Sequence, residues 1–82
     1  NSYSWYLLAK AYALNDSLAL AQYASAERYY LRRDSALALS FAKKAIKNID
    51  KDTVEWYRTN DLIQLIVGIE EKDNKNKSVE TE

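Results

Sequence analysis

Turn-forming residues are nearly absent from this chain, and their scarcity constrains the fold more than any other feature. The 82 residues include no proline and one glycine, Gly68, whereas alanine, leucine and tyrosine are abundant. A β-sheet protein needs turn residues at short intervals, and one glycine does not supply them. The sequence therefore predicts an all-α protein with short polar turns, long enough for one small domain.

Polar residues at three points divide the chain into four predicted helices, over about residues 2–14, 18–32, 35–48 and 54–72. Short oxygen-bearing side chains at residues 15–17 and 34–35 suit the starts of the second and third helices. Asp52 and Glu55 have capping-box spacing for the fourth. We therefore predict a helical domain over residues 1–72. The polar residues 73–82 are predicted to form a disordered tail.

The second predicted helix is apolar on most of its circumference. Its clearly polar residues Ser25, Arg28 and Arg32 share one narrow stripe with Ala21. A helix with so small a polar face is buried on more than one side, so we expect it between the first and third helices. The rows of alanine predict close helix contacts at Ala9, Ala26, Ala38, Ala42 and Ala45.

The sequence repeats itself at the scale of one helix and one turn. Residues 16–21 (DSLALA) recur as residues 34–39 (DSALAL), and Trp5-Tyr6 recurs as Trp56-Tyr57. One such unit is about half of a 34-residue helix-turn-helix repeat. Since short turns make neighbouring helices antiparallel, the pattern predicts a short antiparallel α-solenoid of about four helices.

The spacing of Trp5, Leu8, Ala9 and Tyr12 resembles the opening of a tetratricopeptide repeat, with alanine where glycine is usual. In the second unit Ala42 replaces an aromatic residue, and the proline that commonly ends the repeat is absent. The alternative is an ordinary amphipathic helical-hairpin domain.

Residues 5–14 (WYLLAKAYAL), 26–32 (AERYYLR), 43–46 (KKAI) and 55–58 (EWYR) resemble the C-terminal repeat region of periplasmic zinc metalloproteases of the BepA type. That resemblance implies a periplasmic location and contacts with outer-membrane assembly proteins and their substrates. The family's HExxH zinc motif is missing here, as is every histidine. The metal site and the protease activity of such a protein would therefore belong to another domain.

The chain itself is not expected to be an enzyme or to bind a cofactor or metal. It has neither cysteine nor histidine for a nucleophile–base pair, and no glycine-rich phosphate loop. Asp50, Asp52 and Glu55 could suggest a cation site, but helix capping explains them better.

Nucleic acid and membranes are not the expected partners. The formal net charge is zero, so global charge does not attract polyanions. No apolar run approaches the roughly 20 residues that cross a bilayer. Basic residues could still form an anion or nucleic-acid site, although a solvated helix face is favoured for them: Arg32, Arg33, Lys43, Lys44 and Lys47.

Protein or peptide binding is the favoured function, because tyrosine and arginine dominate binding hot spots and helical stacks bind through a groove. The candidate residues are Tyr3, Tyr6, Lys10, Tyr23, Arg28 and Arg32, although the tyrosines could instead be core. The alternative is a regulatory domain that docks on a protease domain and gates its active site.

The fourth helix carries more apolar surface than one neighbour can cover. Leu62, Leu65, Ile66 and Ile69 form the row predicted to face the core. To one side lie Trp56, Ile63 and Val67, which are predicted to contact a second copy of the chain or a catalytic domain. The alternative is that the second helix buries them.

Overall fold

The computed structural model describes the backbone of residues 1–80 and the side chains of residues 1–72, and this part of the chain is helical without any strand. The helices are α1 (Ser2–Leu14), α2 (Leu18–Leu31), α3 (Ser35–Ile46) and α4 (Val54–Glu80). The predicted all-α class and the positions of the three turns are confirmed. None of the described helices is both long and apolar enough to span a membrane.

Side-chain oxygens cap three of the four helix starts. Asn1 Oδ1 accepts from the Ser4 N–H at 2.9 Å, and Asp34 Oδ1 accepts from the Leu37 N–H at 3.1 Å. At α4 the cap is Thr53, whose Oγ1 accepts from the Trp56 N–H at 3.2 Å. The predicted cap at Asp52 is therefore wrong by one residue, because α4 begins at Val54 and the capping side chain directly precedes the helix.

The first two turns share one backbone design. Asp16 and Arg33 have left-handed φ values of 57° and 63°. The next residue in each turn donates its N–H back to the helix just ended, Ser17 to the Tyr12 carbonyl and Asp34 to the Tyr29 carbonyl, both at 2.9 Å. This pattern satisfies carbonyls that the helix end leaves open.

These turns also correct the register of the internal repeat. The equivalent positions are Asp16 and Arg33, and α2 and α3 likewise begin at Leu18 and Ser35. The structural repeat is thus one residue shorter than the similarity between residues 16–21 and 34–39 indicates. Backbone geometry determines the equivalence, whereas Asp and Ser fit several positions in a turn.

Helix α2 is the centre of the fold and contacts α1, α3 and α4, while α3 also contacts α4. Its predicted position between α1 and α3 is confirmed. Ala26, Ala38, Ala42 and Ala45 are fully buried, so the helices approach closely along these rows, as predicted; Ala9 is half-buried. Two core clusters fill the interior: Ala26, Ala38, Ala42, Leu62 and Ile66 form the first, and Tyr23, Ala45 and Ile49 the second.

Helix α4 is rotated relative to the prediction. Leu62 and Ile66 are buried as expected, but Leu65 is 49% exposed and Ile69 is 41% exposed. Ile63 instead packs against the first core cluster. The predicted core row is therefore wrong for two of its four members, because the sequence shows an apolar surface too wide to reveal which part meets α3.

The far end of α4 also differs from the prediction. The helix continues through Glu80 rather than ending near Lys72. No proline or glycine follows Gly68, and extending an existing helix adds one hydrogen bond for each residue that is fixed. Residues 81–82 of the predicted tail lie outside the described residues.

Candidate protein-binding groove

A groove opens along α2, between α1 and α3. These two helices pack on different sides of α2 and do not contact each other. A strip of α2 therefore remains open at the bottom of a depression of about 290 Å³. We call this depression the α1–α3 groove; it is lined by Tyr6, Ala9, Lys10, Ala13, Leu18, Ala21, Gln22, Ser25, Arg28, Tyr29 and Phe41.

The floor of the groove follows from helical periodicity. Ala21, Ser25 and Arg28 are three or four residues apart, and such positions lie on one helix face. This face is the narrow polar stripe that the sequence shows in α2. Ala21 and Ser25 are small and keep this floor low. Tyr6 on α1 and Phe41 on α3 are larger and lie on either side of it.

Cations and aromatic rings alternate across the groove. Lys10 Nζ lies 5.4 Å from the centre of the Tyr6 ring, and Arg28 Cζ lies 4.9 Å from the same ring centre. Arg28 Cζ is also 5.2 Å from the centre of the Tyr29 ring. Such contacts contribute about 0.5–1 kcal/mol each at exposed sites, so they hold Arg28 between α1 and α2.

The series continues onto α3. The rings of Tyr29 and Phe41 are stacked with centroids 5.6 Å apart and planes 3° from parallel, and Lys44 Nζ lies 5.6 Å from the centre of the Phe41 ring. We call this series the cation–ring ladder: Lys10, Tyr6, Arg28, Tyr29, Phe41 and Lys44. It joins three helices, so it places its charged groups more firmly than separate surface residues would be placed.

The groove is basic although the chain as a whole has no net charge. Helices α1 and α3 contain no acidic residue, and the one in α2, Glu27, lines a depression on another side of that helix. Lys44 and Lys47 line a second depression that continues from the groove at Leu18 and Gln22. The groove and this second depression together form an elongated surface that carries positive charge and aromatic side chains.

The depression between α1 and α4, of about 380 Å³, has a different character. It combines Trp5 and two exposed leucines, Leu31 and Leu65, with charges of both signs. Burial raises the pKa of the Glu27 carboxyl, and the nearby Arg58 acts in the opposite direction. Mixed charge gives this depression less selectivity for an ion of one sign than the α1–α3 groove has.

Three of the predicted binding residues meet in the α1–α3 groove: Tyr6, Lys10 and Arg28. The Tyr3 ring lies 6.1 Å from the Tyr6 ring and is well exposed beside them. Arg32 is exposed at the end of α2, where its backbone N–H donates to the Arg28 carbonyl at 3.1 Å. It does not line the groove.

Tyr23 is a core residue rather than a surface one. It is 2% exposed and meets the Trp5 ring edge-on, with centroids 5.6 Å apart. The alternative that the tyrosines are core therefore applies to Tyr23 and not to Tyr6. Burial also raises the pKa of the Tyr23 hydroxyl, against the influence of Arg58.

The three candidates on α4 lie away from the groove. Trp56 packs against the second core cluster and Ile63 against the first, and Val67 is half-buried. The chain itself thus covers much of the surface that was predicted to contact a partner. The large apolar side chains of α4 that are exposed, among residues 54–72, are instead Val54, Tyr57, Leu65 and Ile69.

Tyr29 and Phe41 were not among the residues predicted to bind a partner, and for Lys44 a solvated helix face was favoured over an anion site. Phe41 and Lys44 have the three-residue spacing of neighbours on a helix, which is a weak signal on its own. The contact that matters is between Tyr29 and Phe41 on different helices, and no local pattern reveals it.

The described residues contain no group of three acidic, cysteine or histidine side chains placed to hold a metal ion. No protein-family model matches the chain, and no curated protein or solved structure matches it either. The geometry of the groove is accordingly the main guide to function.

Proposed function

We propose that the chain is a protein-interaction module that binds a peptide segment of a partner in the α1–α3 groove. The cation–ring ladder is the observation that carries this proposal. It presents arginine and tyrosine, the residues that dominate binding hot spots, in a depression whose floor is built from small side chains. Binding along such a surface needs little reorganisation of the protein, because packing already fixes the rings.

The repeat architecture and the parent protein of the chain are part of the same proposal. The repeated turns at Asp16 and Arg33 support a short antiparallel α-solenoid of the tetratricopeptide kind, in which consecutive helices reverse in the same way. The resemblance of residues 5–14 and 26–32 to BepA-type metalloproteases supports a periplasmic parent protein. Outer-membrane assembly proteins or their substrates are then the candidate partners.

Selection of displayed random peptides on the folded chain tests the proposal. We expect enriched peptides to lose at least tenfold in affinity for Arg28→Ala, which removes the central cation of the ladder. Arg32→Ala is the matched control, since Arg32 is an exposed arginine at the end of the same helix but outside the groove. Peptides that bind both variants equally, or a failure to enrich any peptide, would contradict the proposal.

A second candidate function is docking on a protease domain of the same parent protein. The exposed Leu31, Leu65 and Ile69 favour it, because apolar side chains that gather on one side of a protein often mark an interface. Co-expression with a separate BepA-type catalytic domain distinguishes the two. Tight association that Leu65→Lys abolishes and Arg28→Ala leaves intact would favour docking over peptide capture.

A further inference from the structure

We infer that the ligand of the α1–α3 groove is an acidic peptide segment, whose Asp or Glu carboxylates pair with Lys10, Arg28 and Lys44. This inference rests on the proposed function and narrows it to one chemistry of partner. Its basis is the separation of charge in the fold. Three helices contribute a cation to the groove region, whereas the acidic residues among residues 1–72 lie in the turns, on α4 or on another side of α2.

The position of Arg28 suits it to bind a carboxylate. Its central carbon, Cζ, lies 4.9 Å from the centre of the Tyr6 ring and 5.2 Å from that of Tyr29. Contact with an aromatic ring does not use the N–H donors of a guanidinium, which stay free to bind a ligand. Arginine presents these donors as a rigid fork that matches the two oxygens of a carboxylate. Because the rings already restrict the side chain, less conformational entropy is lost when the ligand binds.

The cations also favour an anionic ligand over a neutral one. Lys10 and Arg28 both contact the Tyr6 ring, which brings two like charges to the same part of the groove. No carboxylate lines the groove in the described part of the chain to offset them. A bound carboxylate would supply the missing charge, and several along one peptide would match the cations on α1, α2 and α3 together.

A single-stranded nucleic acid is also anionic, but it fits the ladder less well. Such ligands bind by stacking their bases on open aromatic faces. Here Tyr6, Tyr29 and Phe41 each have a cation or another ring against a face.

Fluorescence anisotropy with labelled 12-residue probes tests the inference. The probes are a Glu-rich peptide, the same peptide with every Glu replaced by Gln, and a 12-nucleotide oligo(U). We expect the Glu peptide to bind at least tenfold more tightly than the Gln peptide and more tightly than the oligonucleotide. Its affinity should fall several-fold as the salt concentration rises from roughly 50 to 500 mM, because salt screens exposed charge pairs.

Charge-matched variants locate the binding site. Lys44→Gln and Lys43→Gln each remove one positive charge from an exposed position on α3, but only Lys44 belongs to the ladder. Lys44→Gln should weaken binding of the Glu peptide at least threefold and Lys43→Gln should not. Circular dichroism of both variants checks that the helices are retained.

The outcomes separate this inference from the proposed function. If Gln and Glu peptides bind equally well in the groove, the acidic preference is wrong and peptide binding stands. If oligo(U) binds more tightly than either peptide, the ligand is nucleic acid and both ideas fail. Equal losses for Lys44→Gln and Lys43→Gln would show diffuse charge attraction rather than binding at the ladder, and would overturn the inference.

Discussion

At the scale of single residues, Glu27 carries its charge in an unfavourable, partly buried environment. It lies half-buried in the depression between α1 and α4, close to Tyr23 on its own helix. Arg58 on α4 attracts its charge but does not compensate for the burial, so the pKa of the carboxyl rises above its usual value of 4.5. The charged group therefore opposes folding at neutral pH.

Replacing Glu27 with glutamine should raise the melting temperature at pH 7. When folding raises the pKa of a carboxyl, the protein loses stability as the pH rises from the usual pKa of that group through its pKa in the folded state. The advantage of Glu27→Gln should consequently shrink towards zero as the pH falls below about 4.5. Thermal unfolding at pH 7 and at pH 4 measures this difference in melting temperature between Glu27→Gln and the wild type.

The matched control for this substitution is Glu70→Gln, which removes the same charge at an exposed position on α4. It should not reproduce the pH-dependent gain of Glu27→Gln. A melting temperature that falls at pH 7 in Glu27→Gln would instead mean that attraction to Arg58 outweighs burial.

Arg33 is strained by its backbone rather than by its charge. Its φ of 63° is left-handed, which costs an L-residue about 1–2 kcal/mol. Arg33→Gly removes that cost and partly offsets the gain by making the unfolded chain more flexible. We expect a net gain of up to about 1 kcal/mol in the free energy of unfolding, measured by urea denaturation.

Ala36→Gly provides the contrasting case for Arg33→Gly. Ala36 is exposed in the first turn of α3, where glycine should still cost stability, up to the roughly 0.5–1 kcal/mol seen in the middle of a helix. Opposite signs for the two substitutions would support the left-handed turn, whereas a loss of stability in both would contradict it.

At the scale of helices, α4 shows which features of the fold a sequence pattern predicts and which it does not. The scarcity of proline and glycine, together with short polar runs, sufficed to place four helices, since these signals act within a few residues. The buried side of α4 did not follow, because apolar residues cover more of this helix than α3 and α2 can contact. Ile63 and Leu65 are equally apolar, and only the approach of α3 distinguishes them.

The same limit applies to the candidate groove. Tyr6, Lys10 and Arg28 were chosen as binding candidates for their side-chain types, and Arg28 also for its place on the polar stripe of α2. All three line the groove. Phe41 could not be predicted, since its importance comes from stacking on Tyr29 of a different helix. Tyr23 resembled its neighbours in sequence and proved to be core because it faces Trp5.

The orientation of α4 predicts unequal effects for two lysine substitutions. Ile63→Lys places a charge against the first core cluster and should lower the melting temperature strongly, as core changes do. Leu65→Lys should have little effect on folding, because Leu65 is 49% exposed. Each variant is followed by thermal unfolding, and sedimentation determines its mass in solution.

The wild-type mass bears on the prediction that Ile63 contacts a second copy. A dimer that Ile63→Lys converts into a stable monomer would support that contact. A monomeric wild type together with a destabilised Ile63→Lys shows an ordinary core position.

Over the whole molecule, charge and apolar surface are distributed unevenly. The α1–α3 groove is basic and ringed by aromatic side chains, while the depression between α1 and α4 has mixed charge with exposed leucines. Because α2 forms part of both, a change in its position would affect both surfaces. The molecule thus has one surface that is basic and aromatic and another that combines apolar side chains with charges of both signs.

Residues 73–82 should contribute little to the stability of the helical domain formed by residues 1–72. Residues 68–72 of α4 are all exposed, so the helix has already left the core before residue 73. Residues 73–82 contain one apolar side chain, Val79, so they offer little apolar surface whose burial could stabilise the fold. A chain that ends at Lys72 should therefore unfold at the same temperature as the full chain.

A chain that ends at Asn60 is the contrasting case, because it loses Leu62 and Ile66 from the first core cluster, and it should not fold cooperatively. A melting temperature several degrees lower for the chain ending at Lys72 would show that residues 73–82 pack on the helical domain.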